Sequence, residues 1–336
     1  MRPILIAECC QNHNGRRDLL QRMIHQAAEA GADFVKLQAI RSRELTHRPR
    51  FDQGERRSDN GNEVVEVIQR PYQPELERLR TLDLTLDDEA WFVDECRRAG
   101  VASMTTLFTR TACREVEDLG YDAAKIASYD CRSYPLLRDV AERWSTVVCS
   151  TGATYDHEIE GAAYELAGTE LTLLHCVTIY PTPMDQLHLR RMSFLRRFTP
   201  RVGWSDHTKP AETGLWASKI ALALGATCIE RHFTVLGPGE TKDGPVSITP
   251  EHLKELRAFA DLPRAERMAL VRRDYPEWEQ ALGQARRSLS HGELLNRDYY
   301  AGRFASRVAG RWIYNWEDVD LDPLLDHEAP TMPPSV

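Results

Sequence analysis

Short, β-branched apolar runs recur along the chain, and most are followed by a stretch whose apolar positions repeat at the helical period. The runs are Ile4 to Glu8, Phe34 to Gln38, Ala102 to Phe108, Ala123 to Ser128, Thr146 to Thr151, Leu171 to Cys176, Arg201 to Asp206 and Thr227 to Phe233. The helical stretches are Arg17 to Ala30, Asp87 to Ala99, Thr111 to Leu119, Pro135 to Trp144, His157 to Leu166, Leu187 to Phe198, Ala211 to Leu224 and Pro250 to Ala260. This alternation predicts parallel βαβ units, and eight of them predict an α/β fold of the (β/α)8 TIM-barrel type. In that fold, chemistry sits at the C-terminal ends of the strands. Polar residues gather there: Glu8, then Lys36 and Gln38, Thr106, Lys125 and Ser128, Ser150, Tyr180, Ser205 and His207, and finally Glu230 and His232. A doubly wound open sheet is the alternative, but its first turn would want GxGxxG, and the chain has NHNG at 12–15.

Two regions break the repeat. Residues 40–85 read as a long loop over the barrel mouth, rich in charge, Asn and Gly at its start. After Leu262 the periodicity weakens. The expected organisation is therefore a barrel domain at 1–262, a helical linker (Arg264 to Ser288) with a short C-terminal extension at 263–320, and a disordered segment at 321–336.

A chain of 336 residues with 42% hydrophobic content can bury a full core. Its net charge of −8 gives no general attraction to nucleic acid or anionic lipid. The N-terminus lacks a signal-peptide core, and no stretch reaches the length of a membrane span, so a cytoplasmic location is expected. The eight cysteines have no framework spacing and read as reduced core thiols.

The strand-end residues suggest a particular chemistry. Lys36 and Lys125, with Thr106, Ser128 and Ser150, would make a small cationic, hydroxyl-lined pocket suited to a phosphate and a carboxylate on one molecule, such as phosphoenolpyruvate. His207 and His232 suggest a divalent metal, with Asp206, Glu230, Asp243 or Glu8 as a carboxylate partner. The ordinary alternatives are an exposed lysine and a pair of hydrogen-bonded core histidines.

All of these residues but Asp243 fall within IAECCQNHNG, VKLQ, TTLF, KIASYD, STG, LHCVTIYPTP, GWSDHT and ERHF, in that order between residues 6 and 233. In them the chain resembles the sialic acid synthases, with their pseudaminate and legionaminate relatives. The resemblance implies condensation of phosphoenolpyruvate with an aldose, commonly an N-acetylated hexosamine, to a 2-keto-3-deoxy sugar acid and phosphate. It implies that Lys36, Thr106, Lys125, Ser128, Ser150, Thr178 and Ser205 hold phosphoenolpyruvate, and that Gln38, Tyr180, Glu230 and Asp243 face the sugar. His207 and His232 would bind the metal, manganese in first place, with magnesium or cobalt as alternatives. Glu8, Glu230 and Lys125 would be catalytic, and the working form a homodimer.

The chain also departs from the family. Thr178 stands where asparagine is frequent, and TTLF replaces STPF. After ARRSL at 285–289, about 47 residues remain, too few for the family's antifreeze-like domain, whose arginine reads the N-acetyl group. Arg303, Arg307 and Arg311 are candidates to replace it. Two other readings stay open: another phosphoenolpyruvate-using aldol synthase, or a barrel that binds sugar phosphates without turnover.

Overall fold

The computed structural model describes residues 2–59 and 61–314, together with the backbone of 319–320. Eight strands, β1 (Ile4–Glu8), β2 (Phe34–Ala39), β3 (Ala102–Leu107), β4 (Ala123–Ile126), β5 (Thr146–Ser150), β6 (Glu170–Cys176), β7 (Val202–Asp206) and β8 (Cys228–His232), form a closed parallel barrel. Each pairs with its successor, and β8 returns to β1 with Glu8 opposite His232. All eight predicted runs are barrel strands.

Alternation along each strand decides where side chains go. Ile6, Met104, Ala123, Val148, Leu174 and Cys228 form one apolar cluster that fills the lower barrel. Residues of the other parity, such as Leu5, Val35, Leu173 and Ile229, pack outward with the helices in the main core. Two positions beyond the inner set stand Glu8, Thr106, Lys125, Ser150, Cys176 and Glu230. A polar layer therefore lies directly above an apolar plug.

The structure differs from the sequence reading mainly between these elements. Residues 40–85 carry a hairpin, Glu55–Asp59 with Asn62–Val67, and a helix, Tyr72–Arg80, where a single long loop was expected. The strand Glu55–Asp59 is fully exposed and charged, so it has no apolar alternation to read. The expected helix Ala211 to Leu224 breaks at Gly214 (φ 55°) into Pro210–Thr213 and Trp216–Ala223. Leu187 to Phe198 shrinks to Arg191–Leu195.

In the linker, the helix Arg264–Asp274 ends before Pro276, because the residue preceding a proline resists the helical conformation. A further helix, His291–Tyr300, starts at a Ser290/Glu293 capping box. The chain then returns to its own barrel mouth. Arg48 Nη1 donates to the Ala301 carbonyl at 2.7 Å, the Thr46 amide donates to the Arg303 carbonyl at 2.9 Å, and the Ala305 amide donates to the Glu44 carbonyl at 2.9 Å. A small antiparallel sheet follows, Ser306–Val308, Arg311–Tyr314 and Val319–Asp320. The segment 321–336, expected to be disordered, lies outside the described residues. All eight cysteines are free and buried. Among the described residues, no helix is long and apolar enough to cross a membrane.

Gly203 occupies an inner position of β7 where no side chain fits. A Cβ there would stand 2.0 Å from the Cys228 carbonyl oxygen and 2.7 Å from Leu174 Cδ2. Gly203→Ala is expected to cost about 3 kcal/mol or more, because backbone, and not a flexible side-chain end, must move. Thermal unfolding beside the wild type checks this; an unchanged midpoint would mean that the barrel yields there at no cost.

Candidate active site

The polar layer opens into a cleft at the C-terminal ends of the strands, enclosing about 1050 Å³ of free space with its open mouth included. Its floor is a buried charge cluster. Lys36 Nζ donates to Thr106 Oγ1 at 2.6 Å, is in contact with the Glu8 carboxylate, and lies 3.7 Å from Glu230 Oε2. Lys125 Nζ lies 3.4 Å from Glu230 Oε1, and Ser205 Oγ donates to that oxygen at 2.8 Å. All four charged side chains are at most 5% exposed. Burial pushes Lys36 down to about 7, opposed by the charge of Glu230 and aided by that of Lys125. Burial would raise Glu230, but Lys125 and Lys36 outweigh it and hold the carboxyl well below its usual range.

Hydroxyls complete the floor. Ser128 Oγ accepts from the Gly152 amide at 3.1 Å, and the buried Ser150 Oγ has no hydrogen-bond partner. An unsatisfied buried hydroxyl beside two lysines is what an anion-binding pocket presents before its ligand arrives.

The two histidines stand on one wall, their rings 5.1 Å apart. Burial, then the neighbouring imidazole and cations, pushes His207 well down; burial also lowers His232, so both are neutral. His232 Nδ1 is buried without a hydrogen-bond partner. Neutral imidazoles with an unpartnered nitrogen fit a divalent cation. Their placement depends on Asp206 and Arg231, which alternate with them on β7 and β8 and point to the other side. Arg231 Nη1 lies 2.6 Å from Asp206 Oδ2, and Arg231 also donates to the Thr208 and Val246 carbonyls. Asp206 accepts from Thr208 and Ser218 as well. Asp206, considered above as a metal partner, is therefore fully engaged outside the cleft.

The rim comes from distant segments. Gln38, Tyr180 and Asp243, expected to face the sugar, line it, with Tyr180 half-exposed and set edge-on to His207 at 4.1 Å. Sequence reasoning missed Arg78, Tyr300 and Cys10. Arg78 arrives on the helix Tyr72–Arg80 and donates to Gln11 Oε1 at 2.6 Å. Tyr300 stacks on Tyr129 at 4.1 Å. Arg303 lines the cleft and is paired to Glu75, which also takes Arg78 at 2.8 Å. Burial would raise Glu75, but these arginines hold it at about 2. Arg307 and Arg311 are exposed and do not line the cleft. Nor does Thr178, expected in the phosphoenolpyruvate pocket: it packs behind Gly152, and its carbonyl accepts from Asn296 Nδ2 at 2.7 Å.

This combination has counterparts among known proteins. Residues 23–266 match the NeuB family. The chain belongs to that family. It is 30% identical over 267 residues to the N,N'-diacetyllegionaminic acid synthase of Campylobacter jejuni, covering 75% of this chain and 74% of that protein. It is 28% identical over 307 residues to the pseudaminic acid synthase of Helicobacter pylori, covering 89% and 81%. The crystal structure of a sialic acid synthetase from Leptospira borgpetersenii shares its fold, with a TM-score of 0.65 at 24% identity over 89% of this chain and 91% of that one. As a NeuB protein the chain is a phosphoenolpyruvate-dependent, carbon–carbon bond-forming synthase of the sialic acid synthase type.

The NeuB histidines should be only as well placed as the ion pair behind them. Asp206→Ala leaves Arg231 buried and unpaired, and is expected to cost about 3–5 kcal/mol. Chemical denaturation checks the loss. If Asp206→Ala and Asp206→Asn both matched the wild type, the pair would not be what holds β7 and β8 in place.

Proposed function

We propose that this NeuB protein condenses phosphoenolpyruvate with an N-acetylhexosamine-like aldose, giving a 2-keto-3-deoxy sugar acid of nonulosonate type and inorganic phosphate. The observation that carries the reading is the buried pair Lys36 and Lys125, ringed by hydroxyls, in one cleft with two neutral histidines. Lys36, Thr106, Lys125, Ser128, Ser150 and Ser205 hold the phosphate and carboxylate of phosphoenolpyruvate. Gln38, Tyr180, Asp243 and Arg303 face the sugar, and Arg303 does so from this chain's own C-terminal segment. His207 and His232 hold a divalent cation, manganese in first place. When bound, the cation supplies Lewis acidity toward the aldehyde oxygen.

The rest follows from what each residue can do. C3 of phosphoenolpyruvate bonds to the aldehyde carbon, whose oxygen takes a proton. Water then adds at C2, and loss of the C2–O–phosphorus linkage leaves the keto acid and phosphate. Glu8 is occupied by Lys36 and by the Cys10 amide. Glu230 Oε2 has no hydrogen-bond partner, which leaves it to accept a hydrogen bond from the water and position it. The two lysines meet the charge of the departing phosphate. The apolar plug keeps bulk water from reaching the enol from below.

Phosphate release from phosphoenolpyruvate with manganese present, against hexoses, N-acetylhexosamines, pentoses and their phosphates, tests the proposal. Release is expected with an N-acetylhexosamine and is expected to vanish in His232→Ala. Saturable phosphoenolpyruvate binding without release for any aldose would favour a binding protein.

Titration of Lys36 gives a second test. Its ammonium is present below about pH 7 and lost above, so phosphoenolpyruvate should bind less well as pH rises through that value. The expected kcat/KM for phosphoenolpyruvate falls by up to about tenfold per pH unit on the alkaline side. Lys36→Arg, which keeps its charge, should move that limb out of range. A limb unchanged in Lys36→Arg would assign it to another group.

A further inference from the structure

Cys10 stands apart from the other cysteines in its backbone. It follows β1 by two residues with φ at 48°, in the left-handed region that glycine enters freely and a side chain resists. The turn brings its thiol to the cleft wall, where Sγ lies 2.9 Å from Asp243 Oδ2. Cys10, His232 and Asp243 each offer one donor atom, and the three donors lie within 4.8 Å of one another. The His207 ring is beside His232 but outside this three-donor set, and His232 Nδ1 is the buried nitrogen without a partner. Sulfur, nitrogen and oxygen donors thus converge on one point.

Both added groups are held in place from behind. The Cys10 amide donates to Glu8 Oε1 at 2.5 Å, fixing the turn. Asp243 sits on a loop pinned by Asn12, whose Nδ2 donates to the Phe233 carbonyl and to Ser247 Oγ, both at 2.9 Å. Ser247 Oγ in turn donates to the Asp243 carbonyl at 2.7 Å. A strained turn and a tethered loop that meet at a thiol–carboxylate contact favour a preset donor set over a chance hydrogen bond.

We propose that Cys10 and Asp243 join His207 and His232 as protein ligands of the divalent cation, Asp243 in place of its contact with the sugar. The site then has one thiolate, two imidazoles and one carboxylate, and takes a thiolate-tolerant ion, cobalt, zinc or iron(II), in preference to magnesium and to the manganese that the histidines alone put first. The thiol proton passes to solvent on ligation. This deepens the synthase reading and rests on its metal requirement. Cys176 Sγ, 3.7 Å from His207 Nδ1, is the competing thiol.

The test uses the whole chain, stripped with a chelator and titrated with Co²⁺ alone. Wild type and Cys176→Ser should both show the near-ultraviolet thiolate-to-cobalt charge-transfer band, and Cys10→Gly should lose it. Glycine suits the φ at position 10, so the metal-free variant should unfold at the wild-type temperature. Asp243→Asn should keep the near-ultraviolet band but shift the visible one. Competition with Zn²⁺ should show Cys10→Gly weakened on the order of 10- to 100-fold, with Mg²⁺ unable to displace cobalt from the wild type. A cobalt-loaded wild type without the band, or a band that survives Cys10→Gly, overturns the assignment. Phosphate release is read separately: turnover without the band sinks only the Cys10 proposal, and the band without turnover sinks only the synthase reading.

Discussion

A closed barrel lets each strand give the interior only every second residue, and the rest of this molecule depends on that constraint. Ile6, Met104, Ala123, Val148, Leu174 and Cys228 take one inner level and fill it with carbon. The next inner residue on each strand is then forced onto a common level above, facing its counterparts across the axis. Register fixes the rest: Glu8 lies opposite Lys36 and His232 on its two neighbours, and Thr106 opposite Lys125. Groups scattered over more than two hundred residues of sequence meet because eight short strands share one periodicity. Gly203 is the exception that keeps the rule, since its strand runs too close to Cys228 for any side chain at the lower level.

Placing charge on that upper level carries a desolvation cost, and the structure meets it by pairing. Lys36 and Lys125 are matched by Glu8 and Glu230, so the floor of the cleft is close to neutral before an anion arrives. The match is incomplete: Lys36 is still pushed toward its neutral form. A doubly or triply charged ligand that brings its own oxygens to both lysines relieves that frustration, which is why such a layer favours a phosphorylated acid over a neutral sugar. Behind the histidines the same logic runs in the outer layer. Asp206 and Arg231 are more deeply buried than any pair in the cleft, and each is satisfied by several further hydrogen bonds. They serve geometry, and the inward-facing residues between them serve chemistry.

What was legible in the sequence follows from these two facts. Strand ends carrying Lys36, Lys125, His207, Glu230 and His232 can be read because period-two alternation and strand order are written in the chain. Arg78 and Tyr300 could not be read that way. Arg78 rides on a helix inside a segment whose exposed, charged hairpin hides its own regularity, and Tyr300 reaches the cleft only because the C-terminal segment turns back over the mouth. Thr178 packs against Gly152 and does not line the cleft, which counting residues past β6 does not reveal. Cys10 reads as a core thiol because nothing in CC announces the left-handed backbone that turns it to the cleft wall.

The rim is where a barrel of this kind can vary. The charged floor of the cleft is built on strands, each fixed between two neighbours in a closed ring of eight. The rim is built from the insertion at 40–85 and the segment after residue 290, joined through Glu75, which takes both Arg78 and Arg303, and through the side chains of Thr46 and Arg48, which donate to backbone carbonyls at 299–302. These pieces can change length and composition without disturbing the register of any barrel strand. Family members that share the floor are thus free to differ at the rim, and relatives named for legionaminic and pseudaminic acids differ in product. In this chain the rim places an arginine from the molecule's own C-terminal segment over its own cleft, so the arginine proposed to read the acceptor and the lysines proposed to hold the donor belong to one folded unit.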